Sequence, residues 1–355
     1  MRLVNTAYLC EGDILARPVR NPMGAVMLGA GVKLTSSYIK KLQDLGYDVV
    51  FIEDDRLDDV ESNLIITAQT QEIAFNTLRH ISELISSGNE TGLPVDEVNQ
   101  TIQQMVGDLL TSYDIVGNLY DIQGYDNYTF NHSINTTIVA LVLGIASGYS
   151  ENKLLELGMG VIMHDVGKIL VPSEILNKKG KLSDEEFHII RQHPLYGFEI
   201  LKKNRDFSLL SAHVALQHQE KWDGTGYPRG LRGTEIHEYG RIAAIADVYE
   251  ALTSKRIYRN AVPPNEAYEY IIANAGSHFE PNLVKAFSQH IAVYPNGMGV
   301  ILSNGQRGNV VKQNAVFPNR PFVRIFYQGD IPLNPPIEYN LAEYPSLMIS
   351  RIENR

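Results

Sequence analysis

Between residues 57 and 291, apolar residues recur at intervals of three and four. Only helices packed on helices satisfy such a pattern over that length. Ile65, Ile66, Ile73, Ala74, Leu78, Ile81 and Leu84 set it, and a 3.6-residue turn brings side chains so spaced onto one face. The reading predicts helices over 57–87, 95–114, 115–120, 126–147, 151–163, 184–191, 195–203, 209–218, 239–253, 264–275 and 281–291. Ser183 followed by Glu186 predicts a capping box, and Pro264 suits a first-turn position. The period fails between 223 and 240, where Asp223-Gly224-Thr225-Gly226-Tyr227-Pro228 opens a long glycine-rich loop. Loops of that length in compact domains are usually functional or disordered.

The flanks read differently. Residues 1–56 predict a small α+β unit, with turns at Gly12-Asp13 and Asn21-Pro22-Met23-Gly24 and a hairpin across 25–34. Thr35-Ser36 predicts a helix start, Gly46 its stop, and 47–52 a strand. After Tyr294-Pro295 the chain turns β-rich, with an Asn304-Gly305 hairpin and a strand over 322–326.

The net charge of -10 argues against a binder of nucleic-acid polymers or of anionic membranes, which needs a basic face. A small anion held by a few local cations remains compatible with it. Cys10 is the only cysteine, so no intramolecular disulfide forms, and a reducing compartment, the cytoplasm, is expected. No apolar leader-like run opens the sequence. The longest apolar run, 136–148, falls short of the roughly 20 residues a bilayer requires and predicts a buried helix.

Polar residues embedded in the apolar pattern are the candidates for chemistry. His164-Asp165 follows an apolar helical run and sets a nitrogen beside a carboxylate, a mixture suited to hard divalent or non-haem iron sites. Lys168, three residues on, can face an anion held there. His132 lies on a helix, His193 opens one before Pro194, and His218 ends another. Asp247 sits in Ile242-Ala243-Ala244-Ile245-Ala246-Asp247, where a carboxylate is costly unless paired or on a metal. Ala243 and Ala251 give it small neighbours. His188 reads as a solvated position. His213 is about 140° around the helix from His218 and is set aside.

His132, His164-Asp165-Val166-Gly167-Lys168, His193-Pro194-Leu195-Tyr196-Gly197, His218-Gln219-Glu220-Lys221-Trp222-Asp223-Gly224-Thr225-Gly226-Tyr227-Pro228 and Asp247 through Arg256 and Arg259, taken in order, resemble the HD-GYP family of the HD phosphohydrolase superfamily. The likeness covers residues 110–290. It implies a mainly α protein with an HD-type helical bundle as catalytic domain, a small α+β N-terminal domain and a β-rich C-terminal extension. The expected organisation is 1–56 accessory domain, 57–110 helical linker, 111–293 HD-GYP domain and 294–355 extension.

The resemblance further implies hydrolysis of cyclic di-GMP at two divalent metal ions, iron or manganese. The implied ligands are His132, His164, Asp165, His193, His218 and Asp247, with Asp165 bridging. Lys168, Arg256 and Arg259 are implied phosphate contacts. Tyr227 is a candidate to stack on guanine or to meet a partner protein at the Gly-Tyr-Pro loop. Asp223 is expected to order the loop or a ligand histidine. Two positions depart from the family: Gln219 replaces a second histidine, and Tyr128 replaces a glutamate that brings in a third metal. Both point to a two-metal site and to linear pGpG, with GMP beyond it, as product. Gln219 is expected to bind weakly through its carbonyl oxygen or to leave its position to water. A homodimer is a further expectation; a nucleic-acid polymer or a membrane segment is not. The alternatives are a module that senses cyclic di-GMP or docks a partner, and a phosphohydrolase for another nucleotide.

Overall fold

The computed structural model describes residues 1–21, 25–60, 65–111, 128–178, 180–254 and 261–353. The turn expected at 22–24 and the helix expected at 115–120 lie outside the described residues. The chain divides into two compact units.

One unit holds the described residues of Met1–Ile65 and Gln289–Arg355. Its first part comprises β1 (Arg2–Asn5), β2 (Val19–Arg20), β3 (Val26–Leu28), α1 (Ser36–Asp44) and β4 (Val49–Ile52). Antiparallel β1 and β4 form one ribbon, and β2 and β3 another. The Thr35 side chain accepts the Tyr38 N–H at 3.3 Å and starts α1; Gly46, at φ 74°, ends it in a conformation that favours glycine. The hairpin expected across 25–34 does not form, because its second arm is taken elsewhere. Leu34 N–H donates to Asp13 at 2.7 Å and Leu15 N–H to Val32 at 3.0 Å. This pairing buries Leu15 and Leu34 in one core, and burying each aliphatic side chain is worth about 1.5–3 kcal/mol.

The second part is a five-stranded antiparallel sheet of β5 (Gly299–Leu302), β6 (Gln306–Lys312), β7 (Phe322–Gln328), β8 (Ile331–Asn340) and β9 (Ile349–Glu353), in the order β8-β7-β6-β5-β9. Asn304-Gly305 turns β5 into β6, with Gly305 at φ 79°. Leu3 and Phe51 share a core with Val300, Val310, Val323 and Ile325.

The other unit, Ile66–Tyr113 and Tyr128–Ser288, is helical. In order it contains α2 (Ala68–Ser86), α3 (Val95–Thr111), α4 (Tyr128–Ala146), α5 (Glu151–Ile162), a 3-10 turn Val166–Leu170, α6 (Ser173–Leu176), α7 (Asp184–Ile190), α8 (His193–Lys203), α9 (Leu209–Gln217), α10 (Glu238–Thr253), α11 (Pro264–Ala273) and α12 (Pro281–His290). Both bonds of the Ser183–Glu186 capping box are present.

Helix α4 packs against α5 and α10. Ile134, Ile138 to Leu143 and, on α10, Ile242 to Ala246 are all buried. The apolar run is longer than its sequence suggests. Thr129–Ala146, with a mean hydropathy of 1.2, is long and apolar enough to cross a membrane, yet 72% of it is buried inside the helical unit. Polar residues of the N-terminal half, His132 among them, interrupt the apolar pattern in the sequence without ending the helix.

Candidate metal centre

Five helical elements bring the candidate side chains together. His132 and Asp247 project from within α4 and α10. His164 and Asp165 lie just past the end of α5, His193 is the first residue of α8, and His218 caps the end of α9. All six are buried.

The proton positions on the imidazoles follow from their backbone partners. His164 Nδ1 lies 2.7 Å from Val161 O, His193 Nδ1 2.7 Å from Ile190 O, and His218 Nδ1 2.9 Å from Ala215 O. A carbonyl only accepts, so each Nδ1 carries a hydrogen and Nε2 is the ring atom turned inward, the one a metal ion would take. His132 Nδ1 faces the buried carboxylate of Glu250, with the same result.

Those four nitrogens meet in two pairs. His132 Nε2 is 3.2 Å from His164 Nε2, and His193 Nε2 is 3.1 Å from His218 Nε2. Two lone pairs at that spacing repel unless a cation lies between them. Asp165 stands between the pairs. Its Oδ2 is 3.4 Å from the Nε2 of both His132 and His164. Its Oδ1 is 3.4 Å from His193 Nε2 and 3.6 Å from His218 Nε2. That Oδ1 is buried without a hydrogen-bond partner, a costly arrangement for a carboxylate that a cation relieves. Asp247 Oδ1 joins the first pair, 3.2 Å from His132 Nε2. His132, His164 and Asp247 form one group able to hold a metal ion, and His164, Asp165 and His218 another. The donor set is nitrogen and carboxylate oxygen without thiolate.

The electrostatics agree with a cation site. Burial pushes His193 down to about 3, which keeps its Nε2 lone pair free. Burial acts the same way on His132, but Glu250, Asp165 and Asp247 outweigh it and hold that imidazole well above its ordinary value. A field that attracts a proton there attracts a metal ion too. Burial also opposes ionisation of Asp165, yet Lys168 and the imidazoles hold it well below the usual carboxylate range. Lys168 Nζ donates to Asp165 Oδ2 at 2.5 Å.

The remaining candidates fall around this core. Gln219 turns its amide N–H toward Asp247 Oδ2 at 2.9 Å, while its Oε1 accepts from the Tyr227 hydroxyl at 3.0 Å. The opposite amide orientation would set oxygen against the Asp247 carboxylate. Gln219 therefore ties Tyr227 to Asp247 and does not direct its carbonyl at the histidines. Tyr227 stands edge-on to His193, with ring centres 6.4 Å apart. Asp223 accepts the N–H and hydroxyl of Thr225 at 2.9 and 2.7 Å and so orders the loop. Arg256 and Arg259 lie outside the described residues.

Two glycines set the spacing. A Cβ on Gly226 would sit 2.3 Å from Lys221 N, so only glycine lets the loop fold back and lay Tyr227 over Gln219. A Cβ on Gly167 would sit 2.0 Å from His193 O, so glycine lets the Asp165 segment touch the start of α8.

Sequence reasoning missed two acids. Glu250 orients His132 and accepts the Ser254 hydroxyl at 2.6 Å; its signal was a second acid three residues after Asp247 in the same apolar helix. Glu220, buried, accepts the N–H groups of Arg229 and Leu231 at 2.8 and 3.0 Å and clamps the loop.

Residues 123–283 match the family model described as HD domain. A cyclic di-GMP phosphodiesterase of Pseudomonas aeruginosa, PA4108, is 35% identical over 235 residues, 66% of this chain and 55% of that protein. The chain carries an HD domain. A cyclic di-GMP phosphodiesterase of Thermotoga maritima is 44% identical to it over 141 residues, 39% of this chain and 38% of that protein. A 3'3'-cGAMP-specific phosphodiesterase 2 of Vibrio cholerae is 36% identical over 193 residues, 54% of this chain and 37% of that protein. The chain thus spans about half or less of the length of these relatives. The fold matches an HDG"Y"P protein from Bdellovibrio bacteriovorus at 17% identity and a TM-score of 0.53, covering 80% of this chain and 97% of that one. The HD domain holds the whole histidine and aspartate cluster.

Proposed function

We propose that this HD-GYP domain is a phosphodiesterase that hydrolyses cyclic di-GMP at two metal ions, iron or manganese, with pGpG as the main product. One observation carries the reading: the two oxygens of Asp165 each face a separate pair of imidazole nitrogens. A carboxylate so placed suits a bridge between two ions. His132, His164 and Asp247 would hold the first ion, and His193 and His218 the second. Two ions in such a site supply an activated water and neutralise charge on a phosphodiester.

The chain's own residues supply the rest. The three carbonyl-anchored imidazoles keep their rings fixed, so the ligands need no rearrangement. Lys168, partly exposed beside Asp165, is positioned to donate to a non-bridging phosphate oxygen. With Gln219 engaged by Asp247 and Tyr227, Asp165, His193 and His218 would hold the second ion, which would leave room for water and substrate. Among the relatives, the P. aeruginosa and T. maritima proteins are named for cyclic di-GMP, which favours that substrate. The V. cholerae relative named for 3'3'-cGAMP makes a hybrid cyclic dinucleotide the second reading.

Incubating metal-loaded protein with cyclic di-GMP and with 3'3'-cGAMP, and separating the products, tests the proposal. Turnover of cyclic di-GMP to pGpG supports it. Product no greater than from a variant combining His164→Ala with Asp165→Ala overturns it, and preference for 3'3'-cGAMP moves the assignment to the second reading.

A further inference from the structure

Arg191 closes the turn after α7, two residues before His193. Its guanidinium carbon lies 4.6 Å from the centre of the Tyr227 ring and 5.4 Å from that of Phe187. Its Nε is buried and has no hydrogen-bond partner. Among the described residues, no carboxylate lies within ion-pair distance of it. Other arginines of this acidic chain are paired: Arg241 with Glu280, and Arg324 with Asp59 and Glu338. Arg191 instead has its charge backed by two aromatic faces, which hold a cation without neutralising it. Tyr227 in turn stands against His193 and is tied through Gln219 to Asp247. The guanidinium is thereby fixed beside the His193–His218 half of the site, with donors to spare.

We propose that Arg191, held on the Tyr227 ring, binds the phosphodiester of a cyclic dinucleotide that is not being cleaved. The inference rests on the reading of the site as a cyclic-dinucleotide phosphodiesterase. Such a substrate carries two phosphodiesters on one ring. When one lies at the Asp165 cluster with Lys168, the other is left close by as a desolvated anion. A planar guanidinium with open N–H donors fits two of its oxygens. Because that phosphate does not react, the contact is equal in ground and transition states and acts on KM, with kcat little changed.

The test compares two substrates and three proteins. Bis(p-nitrophenyl) phosphate carries a single phosphodiester and has nothing to offer Arg191. With Arg191→Gln, KM for cyclic di-GMP should rise about ten- to a hundredfold, the range a charge-assisted hydrogen bond spans, while kcat/KM for bis(p-nitrophenyl) phosphate stays within about twofold. Arg191→Lys keeps the charge and should recover part of the loss. Calorimetric titration of cyclic di-GMP into metal-free protein should show the same weakening, independent of turnover. Equal losses on both substrates, in the glutamine and lysine variants alike, would mean that Arg191 only props up the loop and would overturn the inference. So would equal affinity of wild type and variant in the metal-free titration, or binding by neither. Wild-type turnover of bis(p-nitrophenyl) phosphate without any of a cyclic dinucleotide would instead sink the proposed function.

Discussion

Substituting Gly167 by alanine should separate the two halves of the metal centre. The added Cβ would lie 2.0 Å from His193 O and 2.4 Å from Gly197 N, both backbone atoms. Ordinary contact begins near 3.4 Å, so the Asp165 segment and the start of α8 must part by about 1.4 Å. His193 Nε2 now stands 3.4 Å from Asp165 Oδ1. An opening of that size along the same direction carries it to about 4.8 Å. Each ligand atom sits roughly 2.0–2.2 Å from an ion of this kind, so two atoms further apart than about 4.3 Å no longer share one.

An ion held by His193 and His218 would therefore be lost, while one held among His132, His164, Asp247 and Asp165 Oδ2 would be kept. Metal analysis of Gly167→Ala protein after desalting should show the content falling from near two per chain to near one. Activity on cyclic di-GMP should fall at least a hundredfold, as misplacement by an ångström commonly costs. The strain should lower stability by about 1–3 kcal/mol, which thermal melting of the metal-free protein measures. A folded variant with two metals and wild-type kcat/KM would refute the reasoning.

Further outcomes test the surroundings. Glu250→Gln removes the ionised acceptor behind His132 and should weaken the first metal about ten- to a hundredfold in a chelator competition. Gly107 lies in α3 with nothing within 4 Å of an added Cβ, so Gly107→Ala should raise stability by about 0.5–1 kcal/mol in a denaturant melt. Asp59 is held at about 2 by its bonds to Arg324. Because the folded value lies below the ordinary 3.8, the stabilisation is complete above pH 4 and fades as pH falls through 2. The Asp59 side chain is 66% exposed, so Asp59→Asn should cost less than about 1 kcal/mol at pH 7, and that difference should close in melts near pH 2. Burial pushes His278 down to about 4. Below pH 6.5 the unfolded chain takes up a proton that the folded chain refuses until about 4, so this group withdraws stability across that interval. His278→Phe should flatten the corresponding slope in melting temperature against pH.

The helices were legible because their evidence is local. Spacing, a capping box at Ser183 and a stop at Gly46 each act within a few residues. Strand partners were not, since nothing near Val32 or Leu34 indicates that Leu15 will bond to the one and Asp13 to the other, or that Leu3 will share a core with Val300 across almost the whole chain. The same division runs through the site. His132, His164, Asp165, His193, His218 and Asp247 could be proposed from their order and residue types. The roles of Glu250, inside the Asp247–Arg259 stretch, and of Arg191, outside the ordered set, could not, because each is defined by what it touches: an imidazole from another helix, and a tyrosine on a loop 36 residues away. Gln219 shows the intermediate case. The sequence reveals that an imidazole is absent there, but only the geometry assigns its amide to Asp247 and Tyr227.

The anchoring of three histidines on carbonyls at or near helix ends has a consequence for the protein's lifetime. A ring fixed to a nearby backbone carbonyl would leave an ion only as that helix end frays, so releasing metal and loosening the ends of α5, α7 and α9 would be one event. An ion at a hundred times its dissociation constant adds about 2.7 kcal/mol to stability, a sizeable share of the total in a domain of this size. Scarcity of a metal bound there would thus thin the population of folded molecules, and proteolysis would turn that shortage into a lower amount of protein.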